Sequence, residues 1–186
     1  MPCPSGSSPR HGGFGALAAK FTRGNSLFLH FIADLGSTIT SLQVTYSPGK
    51  IGIISSYGSF LAAPSGIAAE IEVSPDNKFI IASNRNDLTF RIPSPTPINQ
   101  TTEPSDSPAV FEPMNNGTLS FVQLDPAGGS WPTYFKLNKK EDSVAMSLQT
   151  TTCVAIMKRD IETGKPGSII AHIDNVGEVV TAGWDG

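Results

Sequence analysis

Three residues of unlike chemistry occupy one recurring position in this chain. Asp34 follows the apolar run LFLHFIA, Arg85 closes the run FIIASNR, and Gln149 follows SVAMSL. When the three stretches are laid over one another, an acid, a cation and an amide coincide at intervals of 51 and 64 residues. Spacings on the order of fifty residues belong to repeat architectures. Equivalent positions of a radial repeat point into a common space, so these groups can form a ring of binding residues. A guanidinium there grips carboxylate or phosphate oxygens in pairs, and a carboxylate can activate water. The competing reading puts all three in solvated turns. Glu70, beside Ala68-Ala69, is a further pocket candidate, with capping of a strand mouth through backbone N–H groups as its structural alternative. His11 is a candidate base, whereas His30, inside a strand, and His172 read as structural or exposed.

The elements that must position these residues are short strands. In Ser65–Ile92, Ala69–Val73 alternates, Phe79–Ser83 is continuously apolar, and Leu88–Ile92 alternates again. Ser74-Pro75-Asp76-Asn77 and Asn84–Asp87 supply the turns between them. Runs of about five residues with period two and turn signals predict an antiparallel meander. Pro132–Asp160 repeats the order strand, charged turn, apolar strand, polar turn, strand, and Ser26–Tyr46 matches its second and third strands.

This predicts an all-β, incomplete β-propeller of three four-stranded antiparallel blades at 14–63, 64–125 and 126–186, after a flexible tail over 1–13. Gly15–Phe21 is assigned to an inner strand. Ile51–Ser56, Leu119–Leu124 and Ile169–Ile173 are assigned to outer strands, and Glu178–Trp184 to the close of the third blade. Pro93–Pro108, with five prolines and no apolar period, reads as a surface loop inserted in the second blade. Lys139–Asp142 reads as a solvated charged turn. Closed propellers use about four to eight blades. Three leave unpaired sheet edges, so the chain is expected to be a truncated product, an incomplete gene model or part of an oligomer, prone to self-association through open blade edges.

Composition narrows the function. Charged residues make up 16% of the chain and the net charge is −3, which gives no electrostatic reason to expect nucleic acid or an anionic membrane as partner. No apolar run approaches the roughly 20 residues of a membrane-spanning helix. The N-terminus has no basic region followed by an apolar one, so a secretory signal is not expected. Cys3 and Cys153 form neither a disulfide framework nor a metal pattern, and read as reduced thiols of a cytoplasmic protein. Neither metal nor cofactor is implied. Gly-x-Ser-x-Gly, the phosphate-binding glycine loop and His-Glu-x-x-His are absent from the sequence.

The runs AAEIEVSPDNKFIIASNR, GTLSFVQLDPAGGSWPTYFKLN and KRDIETGK resemble the seven-bladed lactonase family. That family includes 6-phosphogluconolactonase of the propeller type and carboxy-cis,cis-muconate cyclase. The resemblance runs from about Pro9 onward and matches the C-terminal part of a family member, about three of seven blades. It implies a pocket in which the recurring position holds Glu in one blade and Arg in the next. Arg85 matches within Ser83-Asn84-Arg85, whereas Asp34-Leu35 stands where the family reads Glu-Leu, one methylene shorter. Pro9-Arg10-His11 resembles the start of an inner strand whose Arg reaches the pocket. Thr133 replaces an arginine often found in the third blade, and a further pocket histidine of the family lies in a blade outside this chain.

The resemblance therefore implies Arg85, with Arg10, as the grip on a small anionic lactone or carboxylate substrate, and Asp34, Glu70 or His11 as the proton-transfer group. The activity expected is hydrolysis of a sugar-acid lactone such as 6-phosphogluconolactone, or the related cycloisomerase reaction on a carboxylated muconate. The alternative is a non-catalytic propeller remnant that binds a small anion or another protein.

Overall fold

The computed structural model describes residues 18–24, 27–33, 38–47, 50–61, 66–94, 101–116 and 118–185; within the first four strands, side chains are described at 38–41 alone. All regular elements among these residues are strands. The first sheet is a meander of β1 (Ala18–Gly24), β2 (Leu27–Ala33), β3 (Thr38–Ser47) and β4 (Lys50–Leu61), in the order β1-β2-β3-β4. The third repeats that order with β11 (Pro132–Leu137), β12 (Ser143–Leu148), β13 (Cys153–Arg159) and β14 (Pro166–Ile173). Between them lie β5 (Ile67–Val73), β6 (Ile80–Arg85), β9 (Pro108–Pro113) and β10 (Leu119–Leu124), again four antiparallel neighbours. The innermost strands sit side by side, β1 against β5 and β5 against β11, as successive blades of a partial propeller require. No sheet closes on itself.

The middle sheet shows why the sequence pattern changes from strand to strand. β6 is buried on both faces, which produces its unbroken apolar run. Ile80 and Ala82 join Ile71, Val73, Phe111 and Ile39 of the first blade in one core. Phe79 and Ile81 face the other way, into a second core with Val110 and with Phe135, Val144, Met146, Leu148, Ala155 and Met157 of the third blade. Each fully buried large side chain contributes about 1.5–3 kcal/mol, so the two interblade cores are the main cohesion of the fold. The Ser74–Asn77 turn forms as its residue types demand. The Asn77 N–H donates to Ser74 C=O at 2.7 Å, and Asn77 takes a positive φ of 60°. Ser74 Oγ accepts the Phe79 N–H at 3.0 Å while donating to Asp76 Oδ1 at 2.6 Å.

Two expectations for the second blade need correction. Leu88–Ile92 is not its third strand; β9 pairs directly with β6, from Ile80↔Phe111 to Ser83↔Pro108. The earlier run instead forms β7 (Phe90–Pro93), which pairs with β8 (Thr102–Ser105) in a separate two-stranded hairpin. The proline-rich stretch is therefore not all surface loop, since it carries β8, whose last residue Ser105 is fully buried, and then the equally buried Asp106 and Ser107. Prolines at 93 and 104 are compatible with this because a two-stranded ribbon leaves each strand one unpaired edge.

Three smaller differences follow from hydrogen bonding. β4 continues through Leu61, paired with Thr38, where the sequence suggested that the chain had already turned back. Glu178–Trp184 adds no strand to the third sheet. That segment runs along β11, with Thr133 Oγ1 donating to Val179 C=O at 3.3 Å and Trp184 Nε1 to Lys136 C=O at 2.9 Å. The Lys139–Asp142 turn is not wholly solvated either, because Glu141 C=O accepts a 2.9 Å hydrogen bond from the buried guanidinium of Arg159.

Candidate active site

Arg85 ends β6 opposite Ile67 of β5. The approach of the two chains here depends on Gly66. Its φ is +105°, and a Cβ at this position would lie 2.7 Å from the Arg85 carbonyl oxygen. The Arg85 guanidinium carbon lies 5.6 Å from the centroid of the Trp131 ring, a cation–π arrangement. Arg85 Nε is buried without a hydrogen-bond partner among the described residues. Burial pulls the guanidinium pKa below its ordinary value, and the group remains a cation at neutral pH. A cation held beside an aromatic face is suited to an anionic ligand.

Trp131 is fixed from behind by Asp106. That carboxylate accepts the Trp131 N–H at 2.6 Å through Oδ2 and the Leu88 N–H at 2.8 Å through Oδ1. The two turns it joins both contain backbone in the left-handed region, Leu88 at φ 45° and Trp131 at φ 65°. Beside it, Asp87 accepts a short hydrogen bond from Ser107 Oγ. Burial pushes the Asp87 carboxyl up to about 6, opposed by the Ser107 and Thr89 hydrogen bonds and reinforced by the charge of Asp106. Ser83 ties the same region to the next blade, accepting the Glu70 N–H at 3.1 Å and donating to Pro132 C=O at 3.3 Å.

Gln149 follows β12, as Arg85 closes β6, and both reach Trp131. The Gln149 N–H donates to Trp131 C=O at 3.0 Å, and its side-chain amide donates to Glu178 Oε2 at 3.4 Å. Trp131, Gln149, Thr150, Thr152 and Glu178 line a cavity of about 420 Å³. Two of the three coincident positions of the repeat thus contact Trp131, Arg85 at its ring and Gln149 at its backbone carbonyl. The third, Asp34, lies outside the described residues, as do Arg10 and His11.

Glu70 is half-buried at an irregularity in the β5–β6 register, three residues along β5 from the partner of Arg85. Its Oε1 accepts the Ile71 N–H at 3.1 Å, a backbone contact in the middle of β5 rather than at a strand mouth. Thr133, where the resemblance leads one to look for arginine, is spent on the backbone of Val179 and Val180. His172 is exposed and pairs with Asp174 at 3.1 Å. Cys153 is a free, buried thiol whose pKa burial pushes up to about 11, with Asp174 and Glu103 adding to the shift, which disfavours the reactive thiolate.

Sequence reasoning missed Trp131 and Asp106. Gly128-Gly129 marked a turn, and both lie against it: Gly129 C=O accepts the Asp106 N–H at 3.0 Å. Nothing in Ser105-Asp106-Ser107 distinguished a buried clamp from a solvated loop. Among the described residues no group of His, Cys, Asp and Glu is placed to hold a metal ion.

Residues 1–182 match the family described as lactonase, 7-bladed beta-propeller. A 6-phosphogluconolactonase of Formosa agariphila is 24% identical over 163 residues, which cover 86% of this chain and 38% of that protein. Among solved structures, a Lactobacillus plantarum protein superposes with TM-score 0.62 at 25% identity over 81% of this chain and 39% of its own. The periplasmic gluconolactonase of Pseudomonas aeruginosa superposes with TM-score 0.62 at 19% identity, over 96% of this chain and 42% of its own. The chain thus spans about two fifths of the length of these relatives. With the repeated four-stranded sheets and the family match over nearly its whole length, the chain belongs to the lactonase family of seven-bladed β-propellers.

Proposed function

We propose that this chain contributes the anion-gripping wall of a lactonase pocket acting on a small sugar-acid lactone such as 6-phosphogluconolactone. The observation that carries the reading is the Arg85 guanidinium, held at the end of β6 with its carbon 5.6 Å from the Trp131 ring centroid. Guanidinium N–H groups suit a phosphate or carboxylate oxygen, and the cation offsets charge that develops on the lactone carbonyl oxygen as water adds. In this mechanism a carboxylate takes a proton from the attacking water. The tetrahedral intermediate then collapses with cleavage of the ring C–O bond, and the departing oxygen takes up a proton. Asp34 and Glu70 are the carboxylates proposed for the proton transfer, with Arg10 and His11 as additional pocket groups. Of these, Glu70 accepts the Ile71 N–H in the structure.

The names of the Formosa agariphila and Pseudomonas aeruginosa proteins support a lactone as substrate class. The test is lactone hydrolysis by the purified chain beside Arg85→Ala, with carboxylated muconate as the competing substrate. Hydrolysis that falls at least about a hundredfold in Arg85→Ala supports the reading, by analogy with loss of an electrostatic stabiliser. Equal rates in both proteins would exclude the site, and absence of turnover in either would favour the non-catalytic alternative.

A further inference from the structure

We propose that the buried carboxyl pair of Asp87 and Asp106 is a proton-operated latch on Trp131, closed while Asp87 is protonated and slack once it ionises, and that anion binding at Arg85 follows it. The coupling to Arg85 rests on its reading as the anion grip, whereas the latch itself does not. The turn after β6 inverts the usual pattern of burial. Leu88 is left 49% exposed, while Asp87 beside it is 9% exposed; leucine is ordinarily the inward residue and aspartate the outward one. Asn86 and Leu88 both take left-handed backbone, at φ 60° and 45°, a conformation uncommon outside glycine. Gly66 leaves room for the turn, since a Cβ there would lie 2.9 Å from Asp87 Cβ. The fold thus holds strained backbone in order to turn a carboxyl group inward, and such strain clusters at binding sites and switches.

What Asp87 meets there is a second carboxyl. The two groups are hydrogen-bonded to each other, and the charge of Asp106 adds to the burial that pushes Asp87 up to about 6. Two carboxyls share a hydrogen bond only through a proton. Both Asp106 oxygens already accept backbone N–H groups, from Leu88 and Trp131, so Asp87 is the member that carries it. Ser107 Oγ donates to Asp87 Oδ2, and the Thr89 N–H reaches Oδ1 at 3.4 Å. Protonated, Asp87 donates to Asp106 and braces the carboxylate that holds the Trp131 N–H. Ionised, it sets a second negative charge against that carboxylate in a buried site, and the brace becomes a repulsion.

Among the described residues no cation pairs with either carboxylate to relieve that repulsion. Of the charged groups on the elements around the pair, Arg85 at the end of β6 lies beside the Trp131 ring, and Arg91 on β7 is spent on Thr102. Glu103 on β8 accepts from Ser94, Glu70 on β5 accepts the Ile71 N–H, and Glu72 on β5 pairs with Lys136 of β11. Trp131 therefore stands between two charges. Its N–H lies on the Asp106 carboxylate, and its ring centroid is 5.6 Å from the Arg85 guanidinium carbon. A change of charge at Asp87 has one residue to cross on its way to Arg85.

Trp131 is also the reporter. The chain has two tryptophans, so a Trp184→Phe background leaves Trp131 as the sole indole emitter. Emission and anisotropy are followed from about pH 4.5 to 8 in that protein and in Asp87→Asn made in it, with the fold of each checked by circular dichroism. The asparagine amide donates to Asp106 at every pH. The parent should pass through a transition with its midpoint at about 6 and lower anisotropy above it, while Asp87→Asn keeps the high anisotropy throughout. A flat parent profile would overturn the latch. So would a transition that persists in Asp87→Asn, because it would then belong to another group, such as a histidine. Sulfate, a dianion across this range, reads the grip in the same two proteins and in Arg85→Ala. Its Kd should rise about fivefold from about pH 5 to about pH 7.5 in the parent, the scale of one lost cation–π contact. Most of that rise should vanish in Asp87→Asn. Sulfate affinity that Arg85→Ala leaves unchanged would sink the Arg85 reading, while the Trp131 transition would still support the latch. Sulfate binding that needs Arg85 but ignores pH would overturn the coupling between the two.

Discussion

Lys136 Nζ lies 2.5 Å from Glu72 Oε1, joining the innermost strands of two successive blades. Glu72 is 5% exposed, and its second oxygen accepts the Leu137 N–H at 3.3 Å. The hydrogen bond to Glu72 is the main reason the Lys136 pKa is raised. The pair is therefore a clamp across the blade interface that also keeps β11 in register with β5. Replacing Lys136 by Met removes the cation from a buried carboxylate. The expected cost is about 2 kcal/mol in urea denaturation, in the range for a hydrogen bond to a charged group. Because one partner is buried, the loss should survive high salt; a loss that vanishes in molar salt would mark the pair as an ordinary surface contact.

Asp106 joins two strained turns through two backbone donors, and an amide offers only one acceptor oxygen. Asp106→Asn must therefore leave either the Leu88 or the Trp131 N–H facing an NH₂ group in a buried site. The expected loss is about 1–3 kcal/mol. Trp131 should gain mobility, read as lower fluorescence anisotropy in a Trp184→Phe background. Unaltered stability and anisotropy would show that the turns hold their shape without the clamp.

Asp87 makes stability depend on pH in the direction opposite to most carboxylates. Its folded pKa of about 6 stands above the ordinary 3.8, chiefly through burial, so folding favours the protonated form. The contribution is present in full below about pH 4 and is lost as pH rises through about 6. Wild-type stability should therefore decline across that window relative to Asp87→Asn, which stays neutral. Denaturation midpoints at pH 4, 5, 6 and 7 measure this; parallel pH profiles for the two proteins would count against it.

The sheets were legible because their residues obey period and turn chemistry at once. Phe79–Ser83 reads as a continuously apolar strand, and its residues alternate between the two cores. The place of Arg85 and Gln149 at the ends of equivalent strands was legible for the same reason, since repeat position fixes place in a radial fold. What escaped was pairing at a distance. Leu88–Ile92 alternates as a blade strand does, and its true partner lies in β8, across a proline-rich stretch whose composition says only that the chain turns. Trp131 and Asp106 escaped because each takes its meaning from the other, 25 residues away.

Gly66 gives the sharpest test of how the strand pairing places Arg85. A methyl group there would lie 2.7 Å from the Arg85 carbonyl oxygen and 2.9 Å from Asp87 Cβ, and the +105° φ is itself unfavourable for alanine. Neither neighbour is the flexible end of a side chain, so Gly66→Ala must push the end of β6 away from β5. The backbone penalty alone is on the order of 1–3 kcal/mol. Phosphate affinity should fall with it, because the guanidinium moves off the Trp131 ring that now orients it. The readout is phosphate affinity at a temperature where the variant remains folded, set beside that of Arg85→Ala. A loss comparable to that in Arg85→Ala places the effect at Arg85, whereas unchanged affinity would show that strand spacing here does not set the position of the charge.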